Sequence, residues 1–224
     1  MNAPDLTVET LLKAYRAGLF PMADPETGRL SWFNPDPRGF IPLEPGRLGG
    51  FHVSRSLARR VRSRKFDMRS DAAFEAVIRG CAEPRPDRPD TWIDDRIVAA
   101  YTALHRAGHA HSVEAWLAPE NQAQPELVGG VYGVAIGAAF FAESMFCRPE
   151  RGGTDASKVC LVHLVSHLRR RGFAVLDVQF WNPHIDQFGC REIRRAEYLV
   201  RLHEATARAV EWPPFEPEQD RHAL

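Results

Sequence analysis

The sequence is short of lysine, of paired cysteines, of long apolar runs and of net charge. Lys13, Lys65 and Lys158 are its three lysines, so nearly every cationic side chain is arginine. The four cysteines, at 81, 147, 160 and 190, form no C-x-x-C pair, and a chain of 224 residues needs no disulfide staple. They read as reduced thiols of a cytoplasmic protein. No run of about 18 apolar residues is present, so no transmembrane helix and no membrane partner are expected. The start, MNAPDLTVET, lacks the basic stretch and apolar core of a secretory signal. P-loop, G-x-G-x-x-G and H-E-x-x-H motifs are missing as well. Lys+Arg and Asp+Glu number 29 each, which excludes a uniformly basic nucleic-acid-binding chain but not a local basic patch.

What is present is ordinary globular material, 44% hydrophobic and 26% charged. The first 20 residues read as a short amphipathic helix capped by Thr7 or Thr10, with Leu11, Leu12 and Tyr15 on one side and Gly18 at its end. Prolines at 21, 25, 35, 37, 42 and 45 exclude long regular elements from the next stretch, but its interleaved aromatics predict an ordered, folded-back segment. Helices are predicted over 54–65, 71–81 and 94–107, with Ser54 capping the first. HSVEAWL, ELVGGVYGVAIG and AAFFAESMF then read as three antiparallel strands. The small residues at 129, 130, 133 and 137 let something approach the backbone closely. A helix at about 155–171, a strand at 173–180 and a helix at about 195–211 follow, with a proline-rich acidic tail lying on the surface or frayed. Helices, a meander, then helix–strand–helix make an α+β fold.

Three groups of residues are out of keeping with a plain core. Asp177 and Gln179, two apart on an apolar strand, share a face. Buried there they are costly unless hydrogen-bonded, and they serve either a site or the anchoring of the WNPHIDQFG loop. Glu143 sits among phenylalanines, and strict alternation puts Phe141, Glu143 and Met145 on one face and Phe140, Ala142, Ser144 and Phe146 on the other. It is an edge residue or a site residue. Residues 51–70 carry Arg55, Arg59, Arg60, Arg62, Arg64, Lys65 and Arg69 against Asp67 alone, a net of +6. Arg55, Arg59 and Arg62 share one helical face, which makes a phosphate-tracking stripe. Residues 71–100 hold seven carboxylates against four cations, so the zero total hides opposed regions. His105, His109 and His111 invite a zinc reading. Gly108 breaks the helix between the first two and no cysteine is near, so capping and loop hydrogen bonding suit them better.

In order along the chain, YRAGLFPM, SWFNPDPRG, FHVSRSL, TWI, GHAHSVEAW, ELVGGVYGVAIG, FAESMF, ASKVCL and LDVQFWNPH make the sequence resemble the leucyl/phenylalanyl-tRNA–protein transferases. The resemblance runs from about residue 10 to 200. It implies transfer of leucine or phenylalanine, and less well methionine, from aminoacyl-tRNA to proteins beginning with Arg or Lys, marking them for degradation. It implies an acetyltransferase-like (GNAT) catalytic domain over 39–224 behind a small N-terminal lobe over 1–38. It also implies a monomer, and no metal, ATP or coenzyme, because the aminoacyl ester is already activated. By family position Asp177 polarises and orients Gln179, Gln179 bonds the attacking amine, and Glu143 receives the acceptor N-terminus. The proton acceptor is a protein group or the tRNA ribose. Val131, Phe140, Met145, Leu161, Leu164 and Leu176 line the donor side-chain pocket. Trp92 stacks near the terminal adenosine, and Arg55, Arg59 and Arg62 hold the acceptor stem. Met22 stands where the family often has tryptophan, Cys147 where serine is frequent, and Ile193-Arg194-Arg195 replaces an Ile-Pro-Arg.

Overall fold

A computed structural model describes residues 5–43, 50–85, 89–118 and 124–217. Helix α1 (Val8–Arg16) starts where the Thr7 side chain accepts the Thr10 N–H, and it buries Leu11 and Tyr15. The proline-rich stretch folds into three strands of four residues: β1 (Phe20–Ala23), β2 (Leu30–Phe33) and β3 (Arg38–Ile41). Strands β1 and β2 pair as a hairpin, whereas β3 enters the main sheet. It is bounded by Pro37 and Pro42, so no residue inside it lacks an N–H for the ladder.

Helix α2 (Arg55–Arg62) is capped by Ser54. Strand β4 (Asp67–Ser70) and helices α3 (Phe74–Ala82) and α4 (Asp95–Arg106) precede the meander β5 (Ala110–Leu117), β6 (Glu126–Ile136) and β7 (Ala139–Cys147). Then come α5 (Ala156–Arg170), β8 (Val175–Gln179), the single turn α6 (Pro183–Asp186), β9 (Arg191–Ile193) and α7 (Arg195–Thr206). Strands β3, β4 and β9 and helix α6, all of three or four residues, went unmarked in the sequence because no periodicity shows over so short a span. The main sheet runs β4-β5-β6-β7-β8-β3-β9. Its pairs are antiparallel except β7–β8, which are joined through α5. The fold is mixed α+β, with helices on both faces.

Two cores result. One gathers Leu11, Tyr15, Phe20, Val77, Tyr101, Phe141 and Tyr198 under α1, α3, α4 and α7. The other gathers Leu57, Val131, Phe140, Leu161, Leu164 and Leu176 under α2 and α5. The last helix stops at Thr206, five residues earlier than expected. Beyond it the tail crosses to the second face, where Trp212 stacks on His111 and Phe140 and Phe215 packs by His167.

One feature of β7 corrects the expected alternation. Tyr132 faces Ser144 but Gly133 faces Ala142, so Glu143 is an extra residue in a β-bulge. The pleat slips by one there, which puts Phe141 in the first core and Met145 against the second. Gly133 permits the bulge: a Cβ on it would lie 2.2 Å from the carbonyl oxygen of Phe141 and 2.5 Å from the Phe140 ring. Gly133→Ala is expected to cost about 1–3 kcal/mol, as overpacking does, and to lower the melting temperature by about 2–4 °C per kcal/mol. Thermal unfolding measures it, and an unchanged melting temperature would contradict the tight approach.

Candidate active site

Asp177 lies in the middle of the sheet and is wholly buried. Strand β3 is its neighbour, with Phe40 opposite it, and β3 begins with Arg38, also wholly buried. The Arg38 guanidinium grips both carboxylate oxygens, at 2.9 and 2.6 Å. Its remaining arm donates to the carbonyl of Gly18 at 2.9 Å. The Tyr198 hydroxyl donates to Asp177 Oδ2 at 2.6 Å, and the Gln179 backbone N–H donates to Oδ1 at 2.8 Å. The guanidinium carbon lies 4.9 Å from the Phe20 ring centre and 4.6 Å from that of Tyr198. A buried charge pair is tolerable only when its polar atoms are bonded in this way. Burial is the largest single influence on Arg38 and lowers its pKa, but the charge and hydrogen bonds of Asp177, with the Tyr198 and Glu143 charges, together raise it above its ordinary value. Burial and then Asp177 push the Tyr198 hydroxyl well above its ordinary range.

Glu143 stands across the gap from β8. The β7–β8 ladder ends at Phe141 opposite Asp177, and past that point the bulge turns Glu143 out of register. Two core helices supply its partners. Tyr15 of α1 donates to Oε1 at 2.6 Å, Tyr101 of α4 to Oε2 at 3.3 Å, and the two tyrosine hydroxyls also bond each other. Burial is the main cause that raises the Glu143 pKa to about 8. The Asp177 charge adds to it, and the Tyr15 bond and Arg38 charge only partly offset it. The carboxyl is therefore mostly protonated at neutral pH. Tyr15 and Tyr101 are themselves raised well above the usual phenol range, by burial first and Glu143 next.

Gln179 closes the network. Its φ is +58°, and the Phe180 N–H reaches back to the Val178 carbonyl at 2.7 Å, so Gln179 is the centre of a three-residue turn that non-glycine residues rarely adopt. The Asp177 carboxylate holds its N–H, and the side-chain Nε2 lies 3.4 Å from Glu143 Oε1. Asp177 thus acts on the backbone of Gln179, whereas simple strand geometry would have set the two side chains in parallel. Gly39 of β3 allows the turn to come close: a Cβ there would meet the Phe180 carbonyl carbon at 2.9 Å.

Glu143 also borders a cavity of about 350 Å³. Val131, Met145 and Leu161 form apolar wall there together with Val178 and Ile185. Phe140, Leu164 and Leu176 are buried in the core and do not line it. Trp92 and Met22 border a separate cavity of about 740 Å³, with Phe33 and Thr91. Arg55, Arg59 and Arg62 are exposed on α2. His105 bonds the Ala110 carbonyl and His111 bonds Asp71. Among the described residues no three His, Cys, Asp or Glu side chains are placed to hold a metal ion, and no helix is long and apolar enough to cross a membrane.

Arg38, Tyr15, Tyr101 and Tyr198 are not among the site residues expected from the sequence. Arg38 was hidden between prolines, and the tyrosines sit on the apolar faces of helices. Their hydroxyls were the available signal, since a buried tyrosine needs a polar partner.

The arrangement offers no activated serine or cysteine nucleophile. It offers a neutral carboxyl beside an amide at the mouth of an apolar cavity, which suits direct attack of one bound substrate on an acyl group carried by another. Such an arrangement is compatible with an acyl-transferring enzyme. The sequence pattern described as leucyl/phenylalanyl-tRNA protein transferase matches residues 47–203, and that of its N-terminal domain matches 4–36. The chain is 51% identical over 203 residues to the leucyl/phenylalanyl-tRNA–protein transferase of Paramagnetospirillum magneticum, covering 90% of each chain. It is 49% identical over 202 residues to the enzyme of that name from Gloeobacter violaceus, covering 90% of this chain and 95% of the relative. The chain belongs to the leucyl/phenylalanyl-tRNA–protein transferase family, and is an aminoacyltransferase that moves an aminoacyl group from tRNA to protein. Among solved structures, FemX shares the fold with a TM-score of 0.51 at 13% identity, over 78% of this chain and 60% of the FemX chain.

Proposed function

We propose that the protein transfers leucine or phenylalanine, and less well methionine, to the α-amine of proteins whose first residue is Arg or Lys. It does so as a cytoplasmic monomer, marking them for N-end-rule degradation. The observation that carries the reading is the raised, tyrosine-held carboxyl of Glu143 next to the Gln179 amide at the cavity mouth. A protein α-ammonium has a pKa of about 7.7–8.0. The ionised fraction of a carboxyl with a pKa of about 8 takes its proton at almost no free-energy cost, which leaves the neutral amine that aminolysis needs, and that fraction grows as pH rises toward 8.

With its Nε2 turned to Glu143, Gln179 presents its amide oxygen to an N–H of the attacking amine and aligns the lone pair with the ester carbon. The amine nitrogen bonds to that carbon, the bond from carbon to the ribose 3′ oxygen breaks, and the amine proton ends on that oxygen. The carrier is Glu143 or the neighbouring ribose 2′-hydroxyl. The donor side chain occupies the cavity walled by Val131, Met145 and Leu161, and the flexible thioether lets one pocket take both Leu and Phe. Trp92 stacks on the terminal adenosine. An acetyltransferase-like (GNAT) core accords with the parallel β7–β8 pair that parts beyond Phe141 and Asp177.

Labelled Leu-tRNA incubated with a peptide beginning with Arg is expected to label the peptide, and neither acetyl-coenzyme A as donor nor an N-acetylated peptide as acceptor should substitute. An unlabelled Arg peptide would end this reading. The exposed stripe on α2 is proposed to track acceptor-stem phosphates. Arg55→Ala with Arg59→Ala should weaken tRNA binding about tenfold at physiological salt and reduce the slope of log K against log salt by about 1–2. A lowered kcat with unchanged salt slope would remove these residues from the tRNA interface.

A further inference from the structure

Arg85 is not used by the chemistry above, yet it lines the same 350 Å³ cavity as Glu143. Its Nη2 is buried and has no hydrogen-bond partner among the described residues. A buried guanidinium N–H without a partner is expensive, and a small turn of the Arg85 side chain toward a ligand atom bound in the cavity would supply one. Its surroundings restrict what that atom can be. His184 shares the cavity, and its pKa is lowered by burial, then by the charges of Lys158 and Arg85. This side of the cavity is therefore a positive field around a neutral imidazole. Lys158 has a counter-ion in Asp155 at 3.2 Å, whereas no ion pair is formed by Arg85 among the described residues.

A cationic acceptor N-terminus is repelled from such a place, and Leu and Phe side chains gain nothing from it. The donor carries one kind of anion close to its acyl group, the phosphodiester on the 5′ side of its terminal nucleoside. A guanidinium matches phosphate with two parallel N–H donors. We infer that Arg85 binds this terminal phosphodiester of the donor, setting the aminoacyl ester between it and the Glu143–Gln179 pair. The inference rests on the proposed use of aminoacyl-tRNA. It gives the donor a charged anchor separate from the α2 stripe.

The test compares two minimal donors, neither of which reaches α2. One is phenylalanyl-adenosine, without phosphate. The other is a trinucleotide ending in cytidine and phenylalanyl-adenosine, with the phosphodiester. Arg85→Met should lower the ratio of kcat/KM for the trinucleotide to kcat/KM for the nucleoside by about 10–100-fold, mainly through the KM of the trinucleotide. Arg85→Lys should restore part of the ratio, since it keeps the charge but loses the fork. Melting temperatures check that the variants fold, and Arg85→Gln replaces any that does not. An equal loss with both donors, or no loss, overturns the inference while leaving the proposed reaction standing. Absence of transfer by the wild-type protein from either minimal donor and from aminoacyl-tRNA overturns the reaction itself, and the inference with it.

Discussion

Asp177→Ala should destabilise the folded protein by about 3–5 kcal/mol, the cost of stranding a buried charge, and lower its melting temperature by about 6–20 °C. Arg38 would be left wholly buried with its carboxylate gone, keeping the Gly18 carbonyl as its hydrogen-bonded partner among those seen now. The Tyr198 hydroxyl and the Gln179 N–H would lose their acceptor at the same time. The strained turn at Gln179 would lose the hydrogen bond to its central N–H and keep only the Phe180 N–H to Val178 carbonyl bond along its backbone, so transfer should fall even at temperatures where the chain stays folded. Arg38→Met combined with Asp177→Leu separates the two effects. Removing both charges should recover most of the stability, because a buried ion pair gains little over well-packed apolar side chains. It should not recover activity, because the Gln179 N–H still lacks its acceptor. Thermal unfolding and single-turnover transfer provide the readouts. A single variant as stable as wild type would show that Arg38 finds another partner. An active double variant would free Asp177 from any part in shaping the site.

The same network shows what local sequence can and cannot reveal. Strands β5 to β7 and helix α5 are long enough to declare their periodicity, and caps such as Thr7 and Ser54 mark helix starts. Strand β3 is four residues between prolines, and its place in the sheet is set by partners about 140 residues away, such as Asp177. No local pattern encodes that pairing. Asp177, Gln179 and Glu143 were visible as polar residues in apolar strands, but their roles came from the family resemblance. The β-bulge was invisible because alternation assumes an unbroken pleat, so Met145 was placed on the wrong face although it does reach the cavity. Phe140, Leu164 and Leu176 illustrate the opposite difficulty: a core side chain and a pocket side chain have the same composition, and the three-dimensional packing distinguishes them.

Glu143→Gln should do two opposite things, and together they test the central role given to the carboxyl. Transfer should fall by about 10²–10⁴-fold, the usual contribution of a positioned proton carrier. Stability at alkaline pH should rise. The carboxyl has a pKa of about 8 in the folded chain and an ordinary one of about 4.3 when unfolded. Below the lower value both states hold the proton, and no penalty exists. Between the two the unfolded chain has released it and the folded chain has not, so the wild type loses stability as pH rises. Above about 8 the loss is complete and constant. Cavity solvent screens part of it, leaving about 1–3 kcal/mol, or about 2–12 °C in melting temperature. Glutamine keeps an oxygen for Tyr15 and Tyr101 but has no proton to lose. The gap in melting temperature between variant and wild type should therefore widen in the variant's favour from pH 5 to pH 8. Wild-type kcat/KM should climb over the same range as Glu143 and the acceptor amine give up their protons. Parallel stability curves for the two proteins would mean that Glu143 ionises freely, and the matched proton transfer to it from the acceptor would have to be abandoned.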